Sequence, residues 1–486
     1  MLMRQQPVTA IGTFIALILT LAVSLPLAAS NPADTYGYSP RGIALGNAMT
    51  ATVNDWSSVW YNPAGLGKTR SLSKSSDGKE VDLALKKKKG EKSSNNSSNY
   101  HPTEFALSSF YTVSGHSISG LTGDQTTEAL NGTSFGMVTV GMALDLNMIV
   151  GMPSFISSAR LGIGATVGID GTAMKINDID PRTPDYVRYG RDAQRAVILA
   201  GLGLGFLDDM FGAGVSVFTS FGGTGHMDLN GAEISPDPQT PLAQTKMDMK
   251  MVPSFNAGLY FTPDRLLSLL KGLQIGVSYR MESKVEIAPL DAEATTTVFS
   301  MLLDMKNMAI YDYYVPHIIT AGISYSIPVP LVEVIVSVDF EYQLWSKFSI
   351  SKSNTQVLED RGVFLPGMKD VPIVRTGIEV KPLSWLSIMT GYYYQPSMLK
   401  SLPIDSTINF MDNDMHAISL GAEFVIPPLL SLKGPLVIAA GYQLQYFADT
   451  TVTRTVFNQT TELDEIRNYS YGGMNHLVTV SVGIKI

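Results

Sequence analysis

The segment from Val332 to Trp345 constrains the fold more than any other part of the chain. It reads V-E-V-I-V-S-V-D-F-E-Y-Q-L-W, so apolar residues hold one parity and polar residues the other, with Ile335 as the apolar exception. A β-strand turns alternate side chains to opposite faces. One face is therefore apolar, whereas the other carries three carboxylates. A soluble sandwich would have to hide the apolar face under a second sheet, but a barrel with lipid outside and a polar lumen satisfies both faces.

Period-2 character recurs along the chain and predicts an all-β protein. The fourteen segments lie at residues 104–112, 134–146, 158–170, 195–206, 211–220, 250–261, 272–287, 316–327, 331–345, 371–381, 385–395, 415–426, 435–447 and 474–486. Bacterial single-chain barrels use an even number of antiparallel strands. We therefore predict a 14-stranded antiparallel transmembrane β-barrel over residues 104–486.

The connections between these segments alternate between short and long. The shorter ones lie at residues 147–156, 207–210, 262–271, 328–330, 382–384 and 427–433. The longer, more polar ones lie at residues 113–133, 171–194, 221–249, 288–315, 346–370, 396–414 and 448–473. Alternation places every long loop at the same end of the barrel. Short periplasmic turns and long external loops are typical of outer-membrane proteins, so we expect the chain in the outer membrane of a Gram-negative bacterium.

The residues before the first strand divide into three expected parts. Residues 1–30 contain Arg4, an apolar run from Ile11 to Leu25 and small residues before Ser30, which predicts a cleaved secretory signal peptide. A retained helix is disfavoured because the run is shorter than about 18 residues. Residues 31–70 are rich in Gly, Ala and Asn and show no long alternation. Residues 71–103 are polar and of low complexity, and we interpret them as a solvated linker rather than a headgroup-binding patch.

Composition excludes several classes of function. The net charge of −8 argues against a nucleic-acid partner, and the absence of Cys excludes a lipoprotein anchor and disulfides. No cofactor is expected. An acidic loop with Asp178, Asp180 and Asp185 is interpreted as solvated rather than as a metal site. None of the six His has a Ser or Asp at a recognisable spacing, so we do not expect an enzyme.

Three stretches of the chain resemble one known family. They are Gly42 to Leu66, with Asn54-Asp55-Trp56 and Asn62-Pro63-Ala64, then Asp339 to Phe348, and finally Arg375 to Val380 followed by Gly391 to Tyr394. They resemble FadL-type outer-membrane transporters for long-chain fatty acids and other hydrophobic compounds. The resemblance implies that residues 31–70 form a hatch inside the lumen, with Asn62, Pro63 and Ala64 as its motif. The insert after Arg70 and the segment Leu402 to Asp405 depart from the family pattern.

Two Met-rich stretches are candidates for ligand capture. Val298, Met301, Leu302, Met305 and Met308 follow the spacing of one helix face within a long loop, and methionine adapts to varied apolar ligands. A second patch at the end of another long loop contains Met247, Met249 and Met251. The resemblance implies that these two loops form the initial capture groove. The alternative is that they pack on each other and only close the barrel mouth.

A carboxylate ligand also needs a cation at one end of an apolar slot. Arg280 and Arg375 have inward parity and are our candidates, although Glu282 and Glu379 lie close enough in sequence for a structural ion-pair network instead.

Gly162, Gly164 and Gly168 lie in the third strand, where glycine often marks a bulge. The family resemblance implies lateral release of ligand into the bilayer through a gap beside these glycines.

The sequence thus predicts passive uptake of long-chain fatty acids or similar hydrophobic molecules by a monomer that contacts outer-membrane lipid and lipopolysaccharide. The main alternative is a general diffusion porin with a water-filled channel, and the hatch-like segment argues against it. An adhesive or purely structural barrel is the third possibility.

Overall fold

The computed structural model describes residues 32–68, 103–122, 125–128, 134–168, 184–186, 188–189, 196–228, 244–263, 270–285, 293–295, 302–304, 313–330, 332–349, 367–400, 409–428, 434–458 and 463–486. The predicted signal peptide and all but the last residue of the predicted insert lie outside these ranges. Among the described residues, no helix has the length and apolar character needed to cross a membrane.

The predicted 14-stranded antiparallel barrel is confirmed. Its strands are β1 (Glu104–Thr122), β2 (Phe135–Asp145), β3 (Ile156–Gly168), β4 (Val197–Phe206), β5 (Phe211–Asp228), β6 (Gln244–Phe261), β7 (Leu273–Arg280), β8 (Ile318–Val329), β9 (Val332–Gln343), β10 (Val371–Leu383), β11 (Leu386–Gln395), β12 (Met415–Ile426), β13 (Leu436–Asn458) and β14 (Leu463–Lys485). Each strand pairs with its neighbours in sequence. The barrel closes because β1 pairs with both β2 and β14, so that Phe110 lies opposite Met137 on one side and Thr479 on the other.

The two faces of the strands are arranged as the alternation in β9 predicts. Phe340 is 49% exposed on the outside of the barrel, whereas its neighbour Asp339 is only 1% exposed on the inside. The arrangement in β14 is the same: the apolar side chains of Val478, Val480 and Val482 are exposed, and the polar side chain of Thr479 is buried. A surface with this many exposed aliphatic side chains requires lipid around it.

The long loops differ from the expectation in three places. Residues 113–133, 221–249 and 448–473 were predicted as loops, yet β1, β5, β6, β13 and β14 extend into them. Pairing continues beyond the apolar belt, as between Thr453 and Asn468. Polar and glycine residues interrupt the apolar alternation in these extensions, although Ile118, Tyr469 and Tyr471 are buried there, so the period-2 pattern does not reveal them.

The segment before the barrel contains short helices. They are α1 (Pro32–Thr35), α2 (Pro40–Ala44), α3 (Ser58–Tyr61) and a 3₁₀ turn at Pro63–Gly67. Ser39 caps α2 by accepting a hydrogen bond from the Gly42 N–H, and Pro40 occupies the first helical position. Further 3₁₀ turns lie at Leu146–Met148 and Trp345–Lys347.

Short additional strands lie at the end of the barrel that carries the long loops. Gln125–Glu128 pairs with the end of β1, and Asp185–Tyr186 pairs in parallel with Phe410–Met411. Ser283–Val285 pairs with Tyr313–Val315, and Glu293–Thr295 pairs with Leu302–Asp304.

Candidate functional site

Residues 32–68, hereafter the hatch, contact the inner wall of the barrel on all sides. The wall makes room for them with glycines, since a Cβ placed on any of these would come within 3.2 Å of a hatch atom. The pairs include Gly141 with Trp56, Gly162 with Val59, Gly164 with Tyr38, Gly214 with Pro63, Gly258 with Asn62, Gly276 with Thr50, Gly377 with Leu45, Gly391 with Gly46 and Gly441 with Pro40. These glycines belong to strands from β2 to β13. The hatch therefore fills the cross-section of the lumen.

The motif Asn62-Pro63-Ala64 anchors the centre of the hatch. The Asn62 side chain accepts a hydrogen bond from the Ala64 N–H at 3.1 Å and donates to the carbonyl oxygen of Thr50 at 2.8 Å. It also donates to the carbonyl oxygen of Leu259 in β6 at 3.1 Å. Asn62 thus rigidifies its own turn and joins it to the wall, because one amide forms hydrogen bonds with three backbone groups.

Arg160 in β3 holds the end of the hatch. Its Nε donates to the carbonyl oxygen of Leu66 at 2.5 Å, and its Nη2 donates to those of Asn54, Lys68 and Gly65 at 2.6, 3.0 and 3.3 Å. The side chain is buried. One guanidinium therefore binds three carbonyl groups near the end of the 3₁₀ turn, where backbone acceptors lack partners in the turn itself, and also the carbonyl group of Asn54.

Lys68, the last described hatch residue, is also buried. Its ammonium donates to the carbonyl oxygen of Ala51 and to Gln274 Oε1, and it lies 5.0 Å from the centre of the Tyr260 ring. Burial lowers the pKa of this amine to about 7, although the charges of Asp209 and Asp339 oppose the shift.

Docking of the hatch is expected to depend on pH through Lys68. The docked amine loses its proton near pH 7, whereas the undocked lysine keeps it until about 10.5. Between these values the undocked lysine binds more protons, so the contribution of Lys68 to docking grows as the pH rises and does not vary with pH below about 7. Protease protection of the hatch in the purified barrel should increase tenfold or more between pH 7 and 9.5. The Lys68→Met variant should lose this dependence, and an unchanged profile in that variant would contradict the assignment.

The two candidate arginines lie in a small polar cavity between the hatch and the wall. Arg280 forms an ion pair with Asp34 of the hatch and lies 3.7 Å from the ring centre of Trp60. Arg375 forms an ion pair with Glu341 at 3.1 Å and lies 4.4 Å from the ring centre of Tyr393. The cavity they line has a volume of about 30 Å³, room for water but not for a lipid.

The partners of these arginines differ from those that sequence proximity suggested. Arg280 pairs with Asp34 rather than Glu282, because the hatch places Asp34 in the lumen. Glu379 pairs instead with Arg41 of the hatch and with Lys381. The ion-pair network considered from the sequence is therefore present, but half of its connections reach the hatch.

The bulge expected at Gly162, Gly164 and Gly168 is not found. Pairing of β3 with β2 is continuous from Gly168 to Arg160, and pairing with β4 is continuous from Thr166 to Ala159. Gly162 and Gly164 serve another purpose, since they admit Val59 and Tyr38 of the hatch. The predicted lateral gap is therefore closed in this structure.

A cluster of buried aromatic and Met side chains, hereafter the outer cluster, lies at the barrel mouth. It includes Ile118, Tyr186, Tyr189, Tyr314, Trp345, Met368, Tyr393, Met398, Phe410, Met411, Met415, Phe447, Tyr469 and Tyr471. Arg188 lies within it, with Nη2 3.2 Å from Asp412 Oδ1 and its guanidinium 5.5 Å from the Trp345 ring centre. Gln445 connects the cluster to the hatch, because its amide donates to Tyr393 Oη at 3.3 Å and to the Thr35 carbonyl oxygen at 2.9 Å.

The predicted capture residues are placed differently from the expectation. Met247, Met249 and Met251 belong to β6 rather than to a loop. Leu302 begins a short strand, so the helix predicted there is wrong at this point. Val298, Met301, Met305 and Met308 lie outside the described residues. The outer cluster contains other methionines, and their wide separation in sequence concealed them.

Several residues of the site were missed by the sequence reasoning. Asp34, Arg41 and Lys68 lie in the hatch, which has no periodicity from which to read orientation. Arg160 gave a usable signal, because it shares the inward parity of Ser158, Gly162 and Gly164 and is the only charged residue of β3.

A closed antiparallel barrel of fourteen strands, with residues 32–68 packed against its inner wall, defines the class of fold. Its architecture is the FadL-type transporter fold. The structure is similar to that of a FadL homologue from Pseudomonas aeruginosa, with a TM-score of 0.51 and 14% identity over 95% of this chain and 99% of that one.

Two toluene transporters also match. TodX of P. putida has a TM-score of 0.45 and 12% identity over 93% of this chain and 99% of that one. TbuX of Ralstonia pickettii has a TM-score of 0.45 and 13% identity over 92% of this chain and 98% of that one. No protein-family model and no curated protein matches the sequence.

Proposed function

We propose that this protein mediates passive uptake of hydrophobic small molecules across the outer membrane. The observation that carries the proposal is the hatch, which contacts glycines of strands from β2 to β13 and fills the lumen. A general diffusion porin needs a wide water-filled channel, and the plugged lumen does not favour that alternative. A plugged barrel instead suits a ligand that is taken up individually, through binding sites on the way.

The route begins at the outer cluster. Its buried aromatic and Met side chains offer an adaptable apolar surface at the mouth, which suits ligands of varied shape. The Met-rich segment around Met247 and the loop around Met301 contribute to capture in this proposal. Ligand next passes to the cavity that contains Arg280 and Arg375.

Release takes place sideways through the wall near β3 in this proposal. Since β3 is paired on both sides from Arg160 to Thr166, a gap beside Gly162 and Gly164 requires that Val59 and Tyr38 first leave these glycines. Arg160 joins the same strand to the hatch. Movement of the hatch would therefore free the strand that bounds the exit.

A long-chain fatty acid is the substrate class that we favour. Its carboxylate would reach Arg280 and Arg375 only after the hatch has moved, because the closed cavity admits water but not a lipid. Arg280 and Arg375 each lie over an aromatic ring, so an apolar chain and a carboxylate would both find partners there. A neutral hydrocarbon is the competing substrate class, and it has no carboxylate that could form an ion pair with either arginine. Fatty-acid binding should therefore depend on the charge of these arginines, whereas hydrocarbon binding should not.

Exchanging Arg375 or Arg280 for glutamate is expected to weaken binding of a long-chain fatty acid about tenfold or more. Binding of the corresponding neutral alcohol should change by less than threefold, because it has no carboxylate. The Arg→Gln variants remove the charge without adding repulsion and should give the same ranking. Affinities are measured by ligand fluorescence displacement in detergent, with the heat-dependent electrophoretic shift of the barrel as a folding check.

Lys381→Gln is the matched control, since Lys381 pairs with Glu333 at 3.3 Å and is not among the residues that line the cavity. Equal fatty-acid affinity in the native protein and all four arginine variants would remove both arginines from the site. The uptake function is tested separately. Proteoliposomes should take up a radiolabelled fatty acid while planar bilayers show no porin-like conductance, and large steady conductance without uptake would favour the porin.

A further inference from the structure

Three exposed lysines lie together on the outer rim above strands β9 to β11. The Lys369 N–H donates to the Met398 carbonyl oxygen at 2.8 Å, and the Lys400 N–H donates to the Gly367 carbonyl oxygen at 3.0 Å. Lys369 and Lys400 are thus held on adjacent antiparallel segments. Lys347 joins them through its neighbour Ser346, whose N–H donates to Asp370 Oδ1 at 2.8 Å.

Two carboxylates of the described residues beside this rim patch, Asp370 and Asp414, accept hydrogen bonds from within the protein. Asp370 accepts hydrogen bonds from the Ser346 N–H and from the Tyr342 hydroxyl, the latter at 3.2 Å. Burial opposes ionisation of Asp370, but these hydrogen bonds and the Lys347 charge together outweigh it and lower the pKa of the carboxyl. Asp414 accepts from the Ser397 N–H and the Tyr394 hydroxyl, both at 2.8 Å. Among the described residues of the patch, the three lysines are therefore exposed, while Asp370 and Asp414 accept hydrogen bonds from the protein.

The rim patch lies at the boundary of the apolar belt. The hydroxyls of Tyr342 and Tyr394 point to this level, and Tyr392 Oη lies 2.8 Å from His416 Nδ1. Below His416 the outward side chains of β12 become aliphatic, with Ile418 52% exposed. Interfacial Tyr side chains mark the depth of headgroups in a membrane.

Lipid headgroups are the partner that this position and charge fit. Lysine binds phosphate as a point charge, and several basic residues beside a membrane add their attraction to anionic lipid. The chain as a whole has a net charge of −8, so a local excess of ammonium groups is not a general property of its surface. The long-loop end of an outer-membrane barrel faces the outer leaflet.

We propose that Lys347, Lys369 and Lys400 form a binding site for the phosphate groups of a phosphorylated glycolipid in the outer leaflet. The Tyr392–His416 pair supplies a polar contact at the upper edge of the acyl chains. The site lies on the outside of the barrel and is independent of which molecule the lumen carries.

The test uses the full-length protein purified in detergent and exposed to bis-phosphorylated lipid A, with native mass spectrometry to count bound lipid. The variant in which all three lysines become glutamine should bind this lipid at least tenfold more weakly. Each single Lys→Gln change should give an intermediate loss. The matched control is Lys271→Gln. Lys271 is an exposed lysine in the turn between β6 and β7, at the end of the barrel opposite the long loops, so this variant should bind the lipid like the native protein.

Two further probes decide which headgroup chemistry is recognised. Dephosphorylated lipid A should bind the native protein no better than bis-phosphorylated lipid A binds the triple variant. Inorganic phosphate in millimolar excess should compete weakly, because it lacks the acyl chains. Equal retention of bis-phosphorylated lipid A by the native protein and the triple variant would overturn the proposal, as would equal binding of the dephosphorylated lipid by the native protein. Fatty-acid binding, measured alongside, reports on the lumen and on folding.

Discussion

Replacing Arg160 by methionine is expected to detach the hatch from the wall and convert the plugged barrel into an open pore. The change removes the guanidinium from four carbonyl oxygens that lie 2.5 to 3.3 Å from it, although that of Gly65 keeps the Lys68 N–H as a donor. Removing one partner from a buried, charged hydrogen-bond network costs about 4 kcal/mol. Docking of the hatch should therefore weaken by roughly three orders of magnitude.

Single-channel conductance in planar bilayers measures this effect directly, and digestion of the hatch by a soluble protease gives a second readout. Arg160→Lys should recover only part of the loss, because an ammonium lacks the planar fork that reaches several carbonyls. Arg467→Met is the control, since Arg467 pairs with Glu465 on the extended hairpin of β13 and β14, away from the hatch. If Arg160→Met barrels conduct and resist protease as the native protein does, Arg160 is not the anchor.

Replacing Gly214 by valine is expected to displace the hatch by a different mechanism. A Cβ at this position would lie 2.3 Å from the Pro63 carbonyl carbon and 2.4 Å from the Ala64 nitrogen. Both atoms belong to the backbone of the rigid Asn62-Pro63-Ala64 turn, so no side-chain rotation relieves the overlap. Overpacking of this kind costs about 3 kcal/mol at the upper end of its usual range.

The displaced hatch should be cleaved by protease at least a hundredfold faster, while the barrel keeps its heat-dependent electrophoretic shift. Gly151→Val is the matched control, because a Cβ at Gly151 meets no atom within 4 Å. Native-like protection of the hatch in Gly214→Val would show that the close approach of β5 to Pro63 is not required. Gly214→Ala, with a smaller side chain, should give a smaller effect of the same sign.

The barrel was readable from the sequence because membrane strands repeat one simple rule. In β9 the apolar parity is exposed and the carboxylate parity is buried, as the alternation of Val338, Asp339 and Phe340 predicts. Tyr325, Tyr392, Tyr442 and Tyr446 are exposed as well, each on the apolar parity of its strand. Each strand contacts lipid on one face, so the alternation within that strand is enough to predict which of its side chains point outward.

The candidate site was readable only in part. The Asn62-Pro63-Ala64 turn was recognised by its resemblance to a known family, and its hydrogen bonds to Thr50 and Leu259 explain why such a turn suits a hatch. The glycines of β3 were noticed but misinterpreted, since Gly162 and Gly164 admit hatch side chains. A glycine that bends a strand and one that makes room for a neighbour are the same letter in a sequence.

The sequence by itself determined the strand number, the inward and outward faces and the end of the barrel that carries the long loops. It could do so because a bilayer imposes the same local requirement on every strand. Only the tertiary structure decided that Asp34 pairs with Arg280, that Arg160 holds four carbonyl groups and that distant methionines meet in the outer cluster. These contacts join segments separated by up to hundreds of residues across a closed lumen, and no periodicity in the chain specifies which inward-facing side chain meets which part of the hatch.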